Sequence, residues 1–145
     1  MAKPIPEGFT AITPYLVVPD VKALMAFLSK AFGATEHFKL EMPDGNIGHA
    51  DMIVFGSHIM MGQAGAHHPP VPAMLYLYVE DCDAVHARAL AAGATLDQPV
   101  KDQFYGDRSG SVKDANGNIW WIATHKEDLT AGQIGQRVAA GRRGQ

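Results

Sequence analysis

Residues 12–34, ITPYLVVPDVKALMAFLSKAFGA, and residues 74–94, MLYLYVEDCDAVHARALAAGA, carry one pattern twice. Each begins as an apolar run rich in β-branched and aromatic residues, passes an Asp, and continues as a helical pattern closed by Gly-Ala. Asp20 and Asp81 stand 61 positions apart, and Gly33 and Gly93 stand 60 apart. Further alternating stretches follow each Gly-Ala. A repeat of this length predicts two units of strand, helix and three strands (βαβββ) that complete one fold together. A pocket shared by the units belongs where they meet.

A chain of 145 residues, 47% hydrophobic and 19% charged, is long and apolar enough to bury one core made of two such halves. The net charge of −3 excludes the basic stripe of a nucleic-acid surface. Arg137, Arg142 and Arg143 read as a solvated tail. Cys82 is alone, which excludes an intramolecular disulfide and a multi-cysteine zinc site; it reads as a small apolar residue packed on the sheet. With no apolar signal core at the N-terminus and no run of membrane-spanning length, a cytoplasmic protein without membrane contact is expected.

Along the chain, residues 11–18 read as a first strand and Asp20 as the cap of a helix whose apolar stripe is Val21, Leu24, Met25, Leu28 and Phe32. Gly33 stops it. Strands are expected at 35–42, 47–55 and 58–62, with Pro43-Asp44-Gly45-Asn46 as a turn. Residues 64–72, with three prolines, form the linker. The second unit predicts a strand at 73–79, a helix from Asp81 to Ala92 with Val85, Ala89 and Leu90 inward, and a strand at 95–105. A glycine-rich bend at 106–110 leads into 111–113, and the Asn-Gly turn at 114–118 leads into a last strand at 119–124. Residues 127–140 suggest a terminal helix.

Within this frame, Tyr105-Gly106-Asp107-Arg108, the run Trp120-Trp121-Ile122-Ala123-Thr124-His125 and the segment Gly48-His49-Ala50-Asp51 resemble the vicinal oxygen chelate superfamily. That superfamily holds glyoxalase I, fosfomycin-modifying enzymes, extradiol dioxygenases and bleomycin-binding resistance proteins; its PhnB-like glyoxalase/bleomycin-resistance branch is the most similar. The resemblance covers residues 11–129. It implies an α+β fold in which two βαβββ modules form an eight-stranded cup-shaped mixed sheet, and it implies a homodimer. The domain runs over residues 1–129, with module one at 10–63, the linker at 64–72 and module two at 73–125; residues 130–145 form a C-terminal helix and tail. The branch's Asp-Pro-Phe-Gly-His turn here reads Asp-Ala-Asn-Gly-Asn, a change expected to alter the pocket rim rather than the fold.

The resemblance also implies where a metal would sit: one ligand near the start of each module's first strand and one on its last strand. Those positions are near Thr13, Met60, Met74 and Trp121, and none supplies an imidazole or a carboxylate. No metal and no other cofactor is therefore expected; the alternative is one divalent metal on displaced ligands. His67 and His68 in the linker read as surface residues, and His58 and His86 as ordinary structural or surface positions. His37 fits either sheet face. His49 and Asp51 share a face, which makes His49 a candidate proton acceptor or hydrogen-bond partner. His125 is a pocket candidate at a strand end, and a trio of His49, Asp51 and His125 is a conceivable replacement metal site.

Met60, Met74, Trp121 and Tyr76 suit an apolar or aromatic ligand, with Tyr78 adding a phenol farther along. Of each pair Met60/Met61 and Trp120/Trp121, one member must face the cup and the other the helices. Tyr105 and Arg108 are the polar candidates, Arg108 either anchoring an anionic group or pairing with Asp107, Asp102 or Asp114. The ligand-binding set is therefore His49, Asp51, Met60, Met74, Tyr76, Tyr105, Arg108 and Trp121. The expected function is metal-independent binding of a small organic molecule. The alternatives are a glyoxalase-like lyase or isomerase, metal-dependent or metal-free through His49 and Tyr76, and an accessory domain that binds a protein.

Overall fold

The computed structural model describes residues 1–143, with side chains through Gly141. Module one runs β1 (Tyr15–Val18), α1 (Val21–Phe32), β2 (Thr35–Glu41), β3 (Ile47–Val54) and β4 (Ser57–Gln63). Module two repeats it as β5 (Met74–Tyr78), α2 (Cys82–Ala91), β6 (Thr95–Asp102), β7 (Asp107–Lys113) and β8 (Ile119–His125), and α3 (Ala131–Arg143) follows. Each module makes a four-stranded mixed sheet, ordered β1-β4-β3-β2 and β5-β8-β7-β6, with its first strand parallel to its last. Tyr15 pairs with Met60 and Tyr76 with Trp121, so the 61-residue offset of the sequence repeat is kept in the strand register. The fold is the expected α+β arrangement of eight strands; the two sheets stay separate and do not close on each other.

The helices start and stop where the sequence dictates. The Asp20 carboxylate accepts from the Ala23 N–H (3.0 Å) and Asp81 accepts from the Ala84 N–H (3.1 Å), each satisfying an otherwise orphaned first-turn donor. Gly33 ends α1 in the left-handed region at φ 65°, which costs a glycine little. Along α1, Val21, Leu24, Phe27, Leu28, Ala31 and Phe32 are buried, while Met25 is only half-buried. They pack on Ala50, Met52, Val54, Ile59 and Met61, the helix-facing residues of β3 and β4.

One expectation needs correction. Residues 106–110 are not a bend: Gly106 turns at φ 101°, but β7 already begins at Asp107. Gly110 is needed for close approach, since a Cβ there would lie 2.8 Å from the Val100 backbone nitrogen, where β6 is irregular. In α2, Ala89 is buried and Val85 and Leu90 pack half-buried against the core, as expected, and His86 is buried as well. An imidazole fits that core position because its Nε2–H reaches the Gln98 and Ser111 carbonyls, both at 3.2 Å. Cys82 is buried at the head of α2, as expected.

The modules are joined through their helices and one turn. α1 packs on α2, the Phe32 and Trp120 rings meet at 5.5 Å, and the Arg88 guanidinium donates to the Lys30 carbonyl (2.7 Å) at the end of α1. Asp114 is the hub of this joint. Its buried carboxylate accepts from the Asn116 and Asn118 N–H groups, the Asn118 side-chain amide and the Trp120 indole N–H (2.8 Å). Asn116 then exchanges two hydrogen bonds with the Asp20 backbone, and Asn118 accepts from the Ala73 N–H. The Asp-Ala-Asn-Gly-Asn turn therefore ties module two to module one, and its Asp114, Ala115 and Asn116 also line a small cavity against α1.

Arg137 is not part of a solvated tail: it pairs bidentately with Glu127 and donates to the Phe104 carbonyl, holding α3 against module two. The side chains of Arg142 and Arg143 lie outside the described residues. Among the described residues, no helix is long and apolar enough to cross a membrane.

Asp114→Ala leaves the buried Trp120 N–H without its acceptor and frees the turn from both modules. A loss of about 3 kcal/mol is expected, the cost of stranding one buried donor and losing its neighbours' bonds. Urea unfolding of the variant beside the parent checks this, and an unchanged midpoint contradicts the hub assignment.

Candidate functional site

Each sheet has one face against the helices and one open face. Strand alternation sets the division: Leu16, Val18, Met61, Trp120 and Ile122 are buried on the helix side, while Tyr15, Met60, Met74, Tyr76, Tyr78 and Trp121 take the open side. The Met60/Met61 and Trp120/Trp121 alternatives are thereby resolved in favour of Met60 and Trp121 as open-face residues.

On module two the open face is an aromatic row organised by a carboxylate. Met74, Tyr76 and Tyr78 lie 65%, 42% and 61% exposed along β5, and the Tyr76 ring runs nearly parallel to Trp121 (centroids 6.4 Å apart, planes 19°). Asp107, only 5% exposed, accepts from the Tyr76 hydroxyl (2.8 Å), the Tyr78 hydroxyl (2.9 Å) and His125 Nδ1 (2.9 Å). Burial alone would raise the Asp107 pKa, but the bonds from His125, Tyr76 and Tyr78 outweigh it and hold the carboxyl below its usual range. Burial, with hydrogen bonds to Tyr105 and Asp107, pushes the Tyr76 phenol far above its ordinary range. The bond to Asp107 also raises Tyr78. Both phenols therefore stay protonated, as fixed donors and flat apolar walls rather than bases. Asp107 first and Asp128 second raise the His125 pKa. Tyr105 sits at the margin, its hydroxyl 3.4 Å from those of Tyr76 and Ser109.

Arg108 does not serve this face. It lies on the helix side of β7, where it grips Asp83 of α2 bidentately (2.8 and 2.9 Å) and Asp102 (3.2 Å). Those contacts raise its pKa and lower that of Asp83. Of the two roles expected for it, the anion anchor gives way to pairing with a carboxylate: Asp102 is a partner as expected, Asp83 is a further one, and together they pin α2 to β6 and β7. The physical reason is strand parity: Asp107 points to the open face, so Arg108 points away.

On module one, His49 and Asp51 do share the open face but do not act on each other. His49 Nδ1 is hydrogen-bonded to the Tyr15 hydroxyl (3.1 Å), and Tyr15 is the repeat counterpart of Tyr76. Asp51 is instead bonded by His37 (3.0 Å) and His58 (3.0 and 3.1 Å). His125 is engaged by Asp107 in the other module, so His49, Asp51 and His125 are not assembled as a metal trio. Likewise His49 and Tyr76 belong to different modules and are bonded to different partners. Phe38 and Leu40 complete the module-one face and are half exposed.

A cavity of about 770 Å³ opens where the β3–β4 hairpin of module one meets module two, lined by Phe55, Tyr78, Val79, Val85, Thr124 and His125. Phe55 sits there at φ 47°, an uncommon backbone state for an aromatic residue.

The resemblance puts the family's metal ligands near Thr13, Met60, Met74 and Trp121: a hydroxyl, two thioethers and an indole. That donor set does not fit a divalent catalytic metal, so no chemistry is routed through one there. Sequence reasoning missed Asp107, His37 and His58 as site residues. Asp107 was missed because 106–110 reads as a bend; the structure pairs 107, 109 and 111 with His125, Ala123 and Trp121, which puts Asp107 on the open face.

The matches to known proteins agree with this architecture. The family model described as the Glyoxalase/Bleomycin resistance protein/Dioxygenase superfamily matches residues 9–122. Uncharacterised proteins of Mycobacterium bovis and Mycobacterium tuberculosis are 33% identical over 135 residues, 86% of this chain and 89% and 79% of theirs. Among solved structures, TioX from Micromonospora sp. ML1 is similar at 26% identity and TM-score 0.68, covering 80% of this chain and 98% of that one. The PhnB protein from Bacillus cereus shares the fold at 19% identity and TM-score 0.64, covering 79% of this chain and 99% of that one. With two βαβββ modules, parallel outer strand pairs and a family match over both, the chain belongs to the glyoxalase/bleomycin resistance/dioxygenase (vicinal oxygen chelate) superfamily, with a PhnB-like structure among its neighbours.

Proposed function

We propose that this protein binds a small organic molecule, apolar or aromatic, on the open faces of its sheets, and that it does so without a metal at the family's ligand positions. The observation that carries the reading is the exposed row Met74, Tyr76 and Tyr78 beside Trp121, with its phenols held in place by Asp107. Flat rings locked by hydrogen bonds lose little freedom when a planar ligand stacks on them. Met60 lends an adaptable apolar contact on module one, and His49 and Tyr105 supply polar partners at the margins; Asp51, buried and held by His37 and His58, is not among them.

The lyase or isomerase reading is less well supported. A metal-free mechanism asks Tyr76 to give up a proton that burial, Tyr105 and Asp107 all retain. A binding role asks only that the face be shaped and apolar.

The cup is completed by a second copy of the chain. Within one chain the modules meet through α1, α2 and the 114–118 turn, which leaves both open faces uncovered, with Phe38 and Leu40 about half exposed. A homodimer in which an open face of one chain covers that of another buries this surface and encloses the ligand. A cytoplasmic location goes with this reading.

Phenylnaphthylamine, a neutral planar fluorophore, tests the binding surface. Its fluorescence is expected to rise on addition of the protein, and Trp121→Ala to weaken binding about tenfold, or ~1.4 kcal/mol, the scale of one lost aromatic contact. Unchanged affinity in both Trp121→Ala and Tyr76→Ala removes the face from the account. Light scattering on the eluting protein tests the second copy. Twice the chain mass of 15.6 kDa is expected for the parent, and the single chain mass for the double variant Phe38→Asp/Leu40→Asp. A monomeric parent sinks the dimeric cup.

A further inference from the structure

The open face of module one carries a cluster that the ligand-binding reading does not use. His37 from β2, Asp51 from β3 and His58 from β4 bring one donor each to a common point: the three ligand atoms all lie within 4.8 Å of one another. Both imidazoles present Nδ1 to the same carboxylate, His37 at 3.0 Å and His58 at 3.0 and 3.1 Å. The side chains of Asp51 and His58 are 4% and 7% exposed, whereas that of His37 is 48% exposed. From this geometry we infer that His37, Asp51 and His58 form a binding site for a divalent transition-metal ion such as Zn²⁺, which fastens β2, β3 and β4 together.

Four features argue for it. The donor set of two imidazole nitrogens and one carboxylate oxygen is one that Zn²⁺ and Co²⁺ take, with a fourth position left for water. The spacing is close to what tetrahedral coordination asks: bonds of about 2.0–2.1 Å require donors about 3.3 Å apart, a few tenths beyond the separations seen.

The backbone is arranged for it as well. Regular alternation would turn His37 away from the face that Phe38 and Leu40 occupy. The register shift between Glu36 and Phe38 breaks the ladder there and lets His37 reach Asp51. Finally, the charge is unbalanced. The described hydrogen-bond partners of the buried Asp51 carboxylate are these two imidazoles, and the Lys39 ammonium is engaged by Glu36. With neutral imidazoles the cluster carries one negative charge away from water, which a divalent ion compensates.

Binding is balanced in protons. Each neutral ring moves its proton from Nδ1 to Nε2 through solvent, and the freed Nδ1 lone pair goes to the metal. The Phe9 ring is stacked on His58 at 3.8 Å, so an ion that fixes His58 also seats the N-terminal lead-in. None of the three ligands is one of the family's metal positions. The site is also independent of the aromatic row on module two, so the two proposals can fail separately.

The test uses full-length, tag-free protein stripped with chelator and titrated with Co²⁺ and then Zn²⁺. One Co²⁺ per chain is expected, with visible absorption of four-coordinate intensity that Zn²⁺ abolishes, and a rise in Tm on Zn²⁺ addition. His37→Ala removes an exposed side chain and is expected to fold with the parent's circular dichroism, yet bind Zn²⁺ at least tenfold more weakly. The linker variant His67→Ala/His68→Ala is expected to bind like the parent. Substoichiometric Co²⁺ in the parent overturns the site. So does a full equivalent that survives His37→Ala, or one lost with His67 and His68. Phenylnaphthylamine binding, measured on the same samples with and without Zn²⁺, is expected to be equal.

Discussion

The hydrogen bond from the Trp120 indole to Asp114 sits where the two halves of the molecule become one. A buried carboxylate is costly unless every lone pair is used, and Asp114 uses both oxygens on donors from the turn and from β8. The same turn reaches Asp20 at the head of α1 and Ala73 at the entry to β5. With Trp120 fixed against Phe32, the helices and the helix-facing sides of both sheets share one core. The other face of each sheet is left without a partner inside the chain, and the functional reading follows from that division.

Two further buried carboxylates, Asp51 and Asp107, organise those open faces in different ways. Asp107 collects two phenols and an imidazole and makes a stiff aromatic surface of them. Asp51 collects two imidazoles through the same ring nitrogen. The difference lies in the donors. Phenols held by a carboxylate are poor metal ligands and good stacking walls, whereas imidazoles beside a carboxylate are the reverse. One module is thus suited to a planar organic surface and the other to an ion, although they descend from the same repeated pattern.

Much of this was legible in the sequence. The repeat gave the two βαβββ modules, the Asp20 and Asp81 caps and the α1 stripe, because caps and amphipathic periodicity are local signals. The opposite facing of Trp120 and Trp121 follows from the strand period of two. What was not legible depended on contacts between distant segments. Gly106 and Gly110 look like a flexible bend, but Gly110 is there because β6 passes over it. Arg108, between Gly106 and Gly110, reads equally as an anion anchor or as the partner of a nearby carboxylate, but its bidentate partner Asp83 lies on a helix 25 residues earlier. His37 could not be assigned a face because a register shift, not the alternation rule, decides it.

Tryptophan is the natural reporter, since the chain's two tryptophans are adjacent and face opposite ways. With both replaced by fluorotryptophan, fluorine NMR gives one resonance for the buried Trp120 and one for Trp121 on the open face. The account predicts that phenylnaphthylamine shifts the Trp121 resonance and leaves Trp120 where it is. A shift of Trp120, or bound ligand with neither resonance moved, would contradict it.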